Sequence, residues 1–321
     1  MKKLFVLLLL PLLMFGYSIV FVHIGEKAPS YLKESITQAQ LFNPQTTIYV
    51  LGNQKALKSF FKKNSFKNVQ AVYLENIKKL PTHEQFLEKY SLDKIHHNIL
   101  WRVSIERFFY LASFIKQNKL QDVFHLENDN MLYTDLSQDL SIFREKYPTI
   151  GATLDNDDRC IAGFFYINNP EALISLTNYI ADHAKENLTD MSLIGKFYKE
   201  TKGLNLLPIV PESYHAIHTL KSMTNLSSQN PSIFSQNINL FHSLFDAAAL
   251  GQYLGGVDTN YNSELHIGFI NESALFQAKN FNFVWQKDAQ DRRVPYVKFD
   301  GKLYKINNLH IHSKQLNLFR S

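Results

Sequence analysis

Residues 100–133 run LWRVSIERFFYLASFIKQNKLQDVFHLENDNMLY, and this stretch decides the fold. Val103, Phe108, Leu111, Phe114 and Ile115 recur at helical spacing and predict a helix over Leu100–Gln117. A four-residue polar break follows. Asp122–Leu126 then reads as a short apolar strand that ends directly on Glu127-Asn128-Asp129-Asn130. A long helix feeding a buried strand is half of a β-α-β unit, so the same order is expected upstream.

That order is present. Ile19–Ile24 is a β-branched run closed by Gly25 and Pro29, and Tyr31–Leu41 is helical. Thr46–Leu51 reads as a strand ending at Gly52-Asn53, Gln54–Lys63 as a helix and Val69–Leu74 as a third strand. The alternation predicts an α/β fold with a mostly parallel central sheet and helices on both faces. Further along, Ala162–Ile167 suggests a strand, while Glu171–Lys185 and Thr189–Thr201 suggest helices. Ser222–Phe245 is polar and loop-like. Phe281–Trp285, Tyr296–Phe299 and Leu303–Ile306 are short strand candidates, the last two joined by the hairpin pair Asp300-Gly301.

Ligands of parallel α/β sheets sit beyond the carboxyl ends of the strands. After the first strand come His23 and Gly25, expected to approach the ligand. After the fourth come Glu127 and Asp129. In an extended chain, residues two apart share a face, so these carboxylates can converge. Converging carboxylates repel, and a hard divalent cation, Mn²⁺ or Mg²⁺, relieves the repulsion.

The composition is compatible with such a cation site. The chain has 321 residues, with 34 Lys and Arg against 29 Asp and Glu, a surplus of +5. That surplus is spread out, without the dense basic blocks of a nucleic-acid binder. With 25 Phe and 16 Tyr, an aromatic core is expected. Cys160 is the only cysteine, so no intrachain disulfide forms. Lys2 and Lys3 precede an apolar run to Phe15, and residues 1–18 read as a secretory signal peptide or as an uncleaved anchor. Either implies an exported or membrane-associated protein, with residues 19–321 forming one domain.

The apolar strand ending in Glu127-Asn128-Asp129 resembles the DxD motif of GT-A glycosyltransferases, in a variant with Glu as the first acid. Ile161-Ala162-Gly163 partly resembles the N-x-G strand that follows that motif, and His310-Ile311-His312-Ser313-Lys314 resembles the late His and Lys of such enzymes. The resemblance implies a GT-A (Rossmann-like) fold with a donor half over about 19–135 and an acceptor half over about 136–321. It implies a nucleotide-diphospho-sugar donor and a glycan, lipid or protein acceptor. Glu127, Asp129 and His312 would hold the metal. Arg107 and Lys314 would reach the diphosphate, and Gly163 would let the sugar approach the backbone. Asp246 and Asp190 are the expected general-base candidates, each also placed where it could cap a helix start, and Asp155, Asp157 and Asp158 read as a solvated acidic loop. Two other readings stay open. One is a metal-dependent phosphoester hydrolase using Glu127, Asp129, His310 and His312. The other is a non-catalytic exported carbohydrate-binding protein.

Overall fold

The computed structural model describes residues 16–257 and 267–321. Residues 1–15 lie outside it, and with them most of the amino-terminal segment read as a signal or anchor. Among the described residues no helix is long and apolar enough to cross a membrane.

The chain begins β1 (Ser18–His23), α1 (Leu32–Phe42), β2 (Thr47–Gly52), α2 (Gln54–Lys63) and β3 (Val69–Tyr73). Helices α3 (Pro81–Lys89), α4 (Leu92–Ile95) and α5 (Leu100–Asn118) lead into β4 (Val123–Leu126). Next come β5 (Asn130–Leu132), α6 (Leu136–Lys146), β6 (Ile150–Asn156), β7 (Arg159–Ile167), α7 (Pro170–Asp182), α8 (Asp190–Thr201) and β8 (Leu204–Leu206). The central sheet has seven strands in the order β3-β2-β1-β4-β7-β6-β8. Only β7 runs against the rest: it is antiparallel to both β4 and β6, and the other pairings are parallel. The expected mostly parallel α/β layout is therefore what the chain adopts.

Alternation along the strands divides the core in two. Ile19 and Phe21 of β1, Phe124 and Leu126 of β4 and Phe164 and Tyr166 of β7 face α1, α2 and α6. Val20, Val22, Phe165 and Ile167 face the other way, onto α5, α7 and α8. Both faces are covered, which is why β1 and β4 read as continuous apolar runs rather than as alternating ones. The aromatic residues fill these layers as expected. Phe143 of α6 lies within 5.2 Å, centroid to centroid, of Phe124, Tyr166 and Phe241.

After β8 the chain is less regular, as its polar composition suggested. It passes α9 (Tyr214–Ile217), α10 (Ile238–Phe241), β9 (Ser243–Leu244) and α11 (Leu250–Gly255). Strands β10 (Asn282–Lys287), β11 (Arg293–Phe299) and β12 (Lys302–Ile306) form a second sheet with β9. The predicted hairpin turn holds: Asp300 and Gly301 both have positive φ, at 47° and 71°. Finally β13 (Asn308–His310) pairs antiparallel with β5, His310 opposite Asn130. This last pairing brings the end of the chain back to the acidic motif.

One expectation fails in this region. Asp155 is not part of a solvated loop. It lies in β6, fully buried, with Arg159 Nη1 3.3 Å from its carboxylate. Burial pushes its pKa up to about 6.

Candidate functional site

All four residues of β4 are buried between β1 and β7, so its carboxyl end has one fixed position in the sheet. The chain does not stay extended through the motif. It turns over 127–130, with Asn130 N donating to Glu127 O at 3.0 Å. The turn is pinned from every side. Glu127 N and Asn130 Nδ2 both donate to Gly163 O, at 3.0 and 2.8 Å. Asn128 Nδ2 donates to Val22 O at 3.2 Å, and Ser35 Oγ of α1 to Asn128 O at 2.6 Å. Ile311 N donates to Asp129 O at 2.9 Å. The two acids therefore converge through a turn locked to four other segments, not through strand alternation.

His310 closes the group. Its Nε2 lies 3.3 Å from Glu127 Oε2 and 3.1 Å from Asp129 Oδ2. One ligand atom from each of Glu127, Asp129 and His310 lies within 4.8 Å of the others. The sequence had pointed to His312. The extended segment ends at His310, where pairing with β5 stops; His312 stands two residues further on, outside the group of three, its ring 6.3 Å from that of His310. Lys314, at φ 65° in that turn, folds back and pairs with Asp129.

Arg107 projects from α5 between two acids. It pairs with Glu127, and its Nη2 donates to Asp190 Oδ2 at 3.1 Å. Asp190 is the first residue of α8, after the capping Thr189. Three acids and three bases thus interlock in one largely buried cluster. Burial alone would raise Asp129, but the facing His310 and Lys314 outweigh it and hold the carboxyl well below its usual range. Glu127 is lowered against burial in the same way, by Arg107 and His310. His310 is the counterpart: burial opposes its charge, the two carboxylates win, and its pKa rises to about 9. Asp190 keeps a raised pKa because burial exceeds the pull of Arg107.

Gly163 lies against the cluster. A Cβ there would stand 3.0 Å from both Asn130 Nδ2 and His310 Nδ1. The missing Cβ at Gly163 therefore leaves room for the side chains of Asn130 and His310. Asp246 is also reassigned. It is fully buried, and its oxygens accept four backbone N–H groups, from Ala249, Leu250, Gly251 and His310, at 2.8–2.9 Å. It caps α11 and ties it to β13, which leaves no oxygen to take a proton from a substrate. Burial raises its pKa while these donors oppose the shift. His23 and Gly25 shape the β1–α1 turn. His23 Nε2 meets Lys27 O at 2.9 Å, and Gly25 N donates to Asn53 Oδ1 at 2.9 Å. Cys160 is buried, and burial pushes its thiol pKa up, the setting of a structural rather than a reactive thiol.

No protein-family model and no curated protein sequence matches the chain. Among solved structures it is similar to the apo form of mouse xyloside xylosyltransferase 1, at 11% identity and a TM-score of 0.44 over 63% of this chain and 90% of that one. It is also similar to galactosyltransferase LgtC in complex with donor and acceptor sugar analogues, at 15% identity and a TM-score of 0.42 over 63% and 78%. A third is the apo glycosyltransferase GlyE of Streptococcus pneumoniae TIGR4, at 14% identity and 0.38 over 63% and 48%. With TM-scores of at most 0.44 among these, the reading of function rests on the chain's own residues.

Proposed function

We propose that this chain is a metal-dependent glycosyltransferase that moves a sugar from a nucleotide-diphospho-sugar to an acceptor hydroxyl. One observation carries the reading: two carboxylates and an imidazole converge within 4.8 Å at the carboxyl end of a central strand, flanked by Arg107 and Lys314. The donor set fits a divalent ion. Two carboxylates suit a hard ion, Mn²⁺ or Mg²⁺, and the imidazole nitrogen beside them favours Mn²⁺ of the two; Glu127, Asp129 and His310 would hold it. Such an ion supplies charge neutralisation to a departing diphosphate.

The protein groups have definite tasks in this scheme. His310 must shed its proton to become a ligand. Glu127 and Asp129, already ionised, need no such step. With the carboxylates engaged by an ion, their present partners, Arg107 and Lys314, would be available to the diphosphate oxygens. Arg107 offers a planar fork and Lys314 a point charge. Asp190 remains the candidate base or acceptor contact, held next to Arg107 with a carboxyl whose pKa burial raises. His23 and Gly25 are proposed to border the nucleotide, because they end β1 on the same edge of the sheet. The acceptor is proposed to be a glycan or a glycan carried on lipid or protein. The amino-terminal apolar run supports export or membrane association.

A thermal-shift screen of uridine and guanosine diphosphate sugars, with and without Mn²⁺, tests the reading. The wild type is expected to show a Mn²⁺-dependent rise in melting temperature with one of them, and Asp129→Ala to show none while remaining folded. An equal rise in that variant, or hydrolysis of generic phosphoesters without preference for nucleotide-sugars, would overturn it.

A further inference from the structure

A groove of about 1000 Å³ runs between α1 and α2, roofed by the β1–α1 loop. It has a distinct chemistry. Ala56 and Phe60, 1% and 6% exposed, form part of an apolar floor with Pro29. Ser30 and Ser59 offer hydroxyls, and Lys27, Lys33, Lys55 and Lys63 stand around the rim. Its two acids are already neutralised, Glu26 by Lys55 at 3.1 Å and Glu34 by Arg320. Lys27, Lys33 and Lys63 have no ion-pair partner among the described residues. Three unopposed ammonium groups therefore surround a trough with an apolar floor.

Tyr31 connects the trough to the acidic cluster. It lines the trough, and Lys314 Nζ stands 5.7 Å from the centre of the Tyr31 ring while pairing with Asp129. Ser35, one turn further along α1, bonds the motif turn itself. A volume at the upper end of small-molecule sites holds more than one sugar ring. Apolar floor, hydroxyl walls and a cationic rim match the ring faces, hydroxyls and acidic groups of a charged oligosaccharide. A concave trough suits a chain better than a flat bilayer surface.

We propose that this groove binds a negatively charged saccharide segment of the acceptor, an assignment that rests on the glycosyltransferase reading and extends the acceptor's contacts onto α1 and α2, within the stretch 19–135 that the resemblance gave to the donor. The shared chemistry is an anion, carboxylate or phosphate, carried on a sugar chain. The test uses the full-length protein and calorimetric titration at 0.1 M salt, where exposed charges still act over about 10 Å. The probes are tetragalacturonate for carboxylates, a phosphorylated mannose oligosaccharide for phosphates and neutral maltotetraose as control.

The wild type is expected to bind at least one acidic probe in preference to maltotetraose. Lys27→Glu/Lys33→Glu/Lys63→Glu is expected to lose about tenfold or more in affinity, whereas Lys116→Glu/Lys185→Glu/Lys279→Glu, with the same change in net charge, stays within about twofold. Uridine diphosphate binding with Mn²⁺, measured beside it, should be equal in both variants. Equal losses of probe binding in the two variants, or binding of neither acidic probe, would overturn the proposal with the donor site intact. Loss of nucleotide binding in the groove variant would make the groove a donor site and overturn it too. A wild type that binds no nucleotide at all would instead sink the transferase reading beneath it.

Discussion

Residue by residue, the cluster divides into what local sequence specifies and what distant chain supplies. Glu127 and Asp129 were legible because a buried strand ends on them. Arg107 and Lys314 were legible by their order relative to the acids. His310 was not separable from His312, because the pairing of Asn308–His310 with Asn130–Leu132, across more than 170 residues, decides where the strand stops. For Asp246 the sequence offered two roles, helix cap and general base, and only half of what decides between them is local. Helix capping by its carboxylate is local, but its fourth donor, His310 N, lies 64 residues away. Asp246→Ala should therefore behave as a structural lesion. Unpaired buried donors cost about 1–3 kcal/mol each, so urea unfolding should show a loss of about 3 kcal/mol or more. Wild-type stability combined with lost turnover would contradict this and restore a catalytic role.

At the scale of elements, the first five strand and helix units were readable because each is long enough to show a period. The short pieces that build the site were not: β5 and β13 have three residues each, too few for alternation to register. Nor does local pattern reveal that β7 runs antiparallel between β4 and β6. The contact between α11 and β13 has its own requirement. A Cβ at Gly251 would meet the His310 carbonyl oxygen at 2.2 Å, and β13 cannot yield, since it is paired with β5. Gly251→Ala is expected to lower the melting temperature and to weaken Mn²⁺ binding by about tenfold or more, because it displaces the backbone that carries a ligand. Unchanged Mn²⁺ affinity in calorimetry would show that His310 is not a ligand or that α11 moves freely.

Across the whole molecule, one sheet edge collects the chemistry. The carboxyl end of β4 supplies the acids, and α5 and the start of α8 bring Arg107 and Asp190 to them. The returning carboxyl terminus supplies His310 and Lys314, while α1 links this cluster to the lysine-rimmed groove. The stretch from Asn308 to Lys314 is therefore part of the site's geometry. The proposed sugar transfer requires a divalent ion held by Glu127, Asp129 and His310. Its most direct test is diffraction from crystals grown with Mn²⁺ and uridine diphosphate, recorded where manganese scatters anomalously. One strong anomalous peak is expected among the Glu127 and Asp129 carboxylate oxygens and His310 Nε2, about 2.0–2.3 Å from each. A peak elsewhere, or nucleotide bound with Arg107 and Lys314 still holding the two carboxylates and no manganese between them, would contradict it.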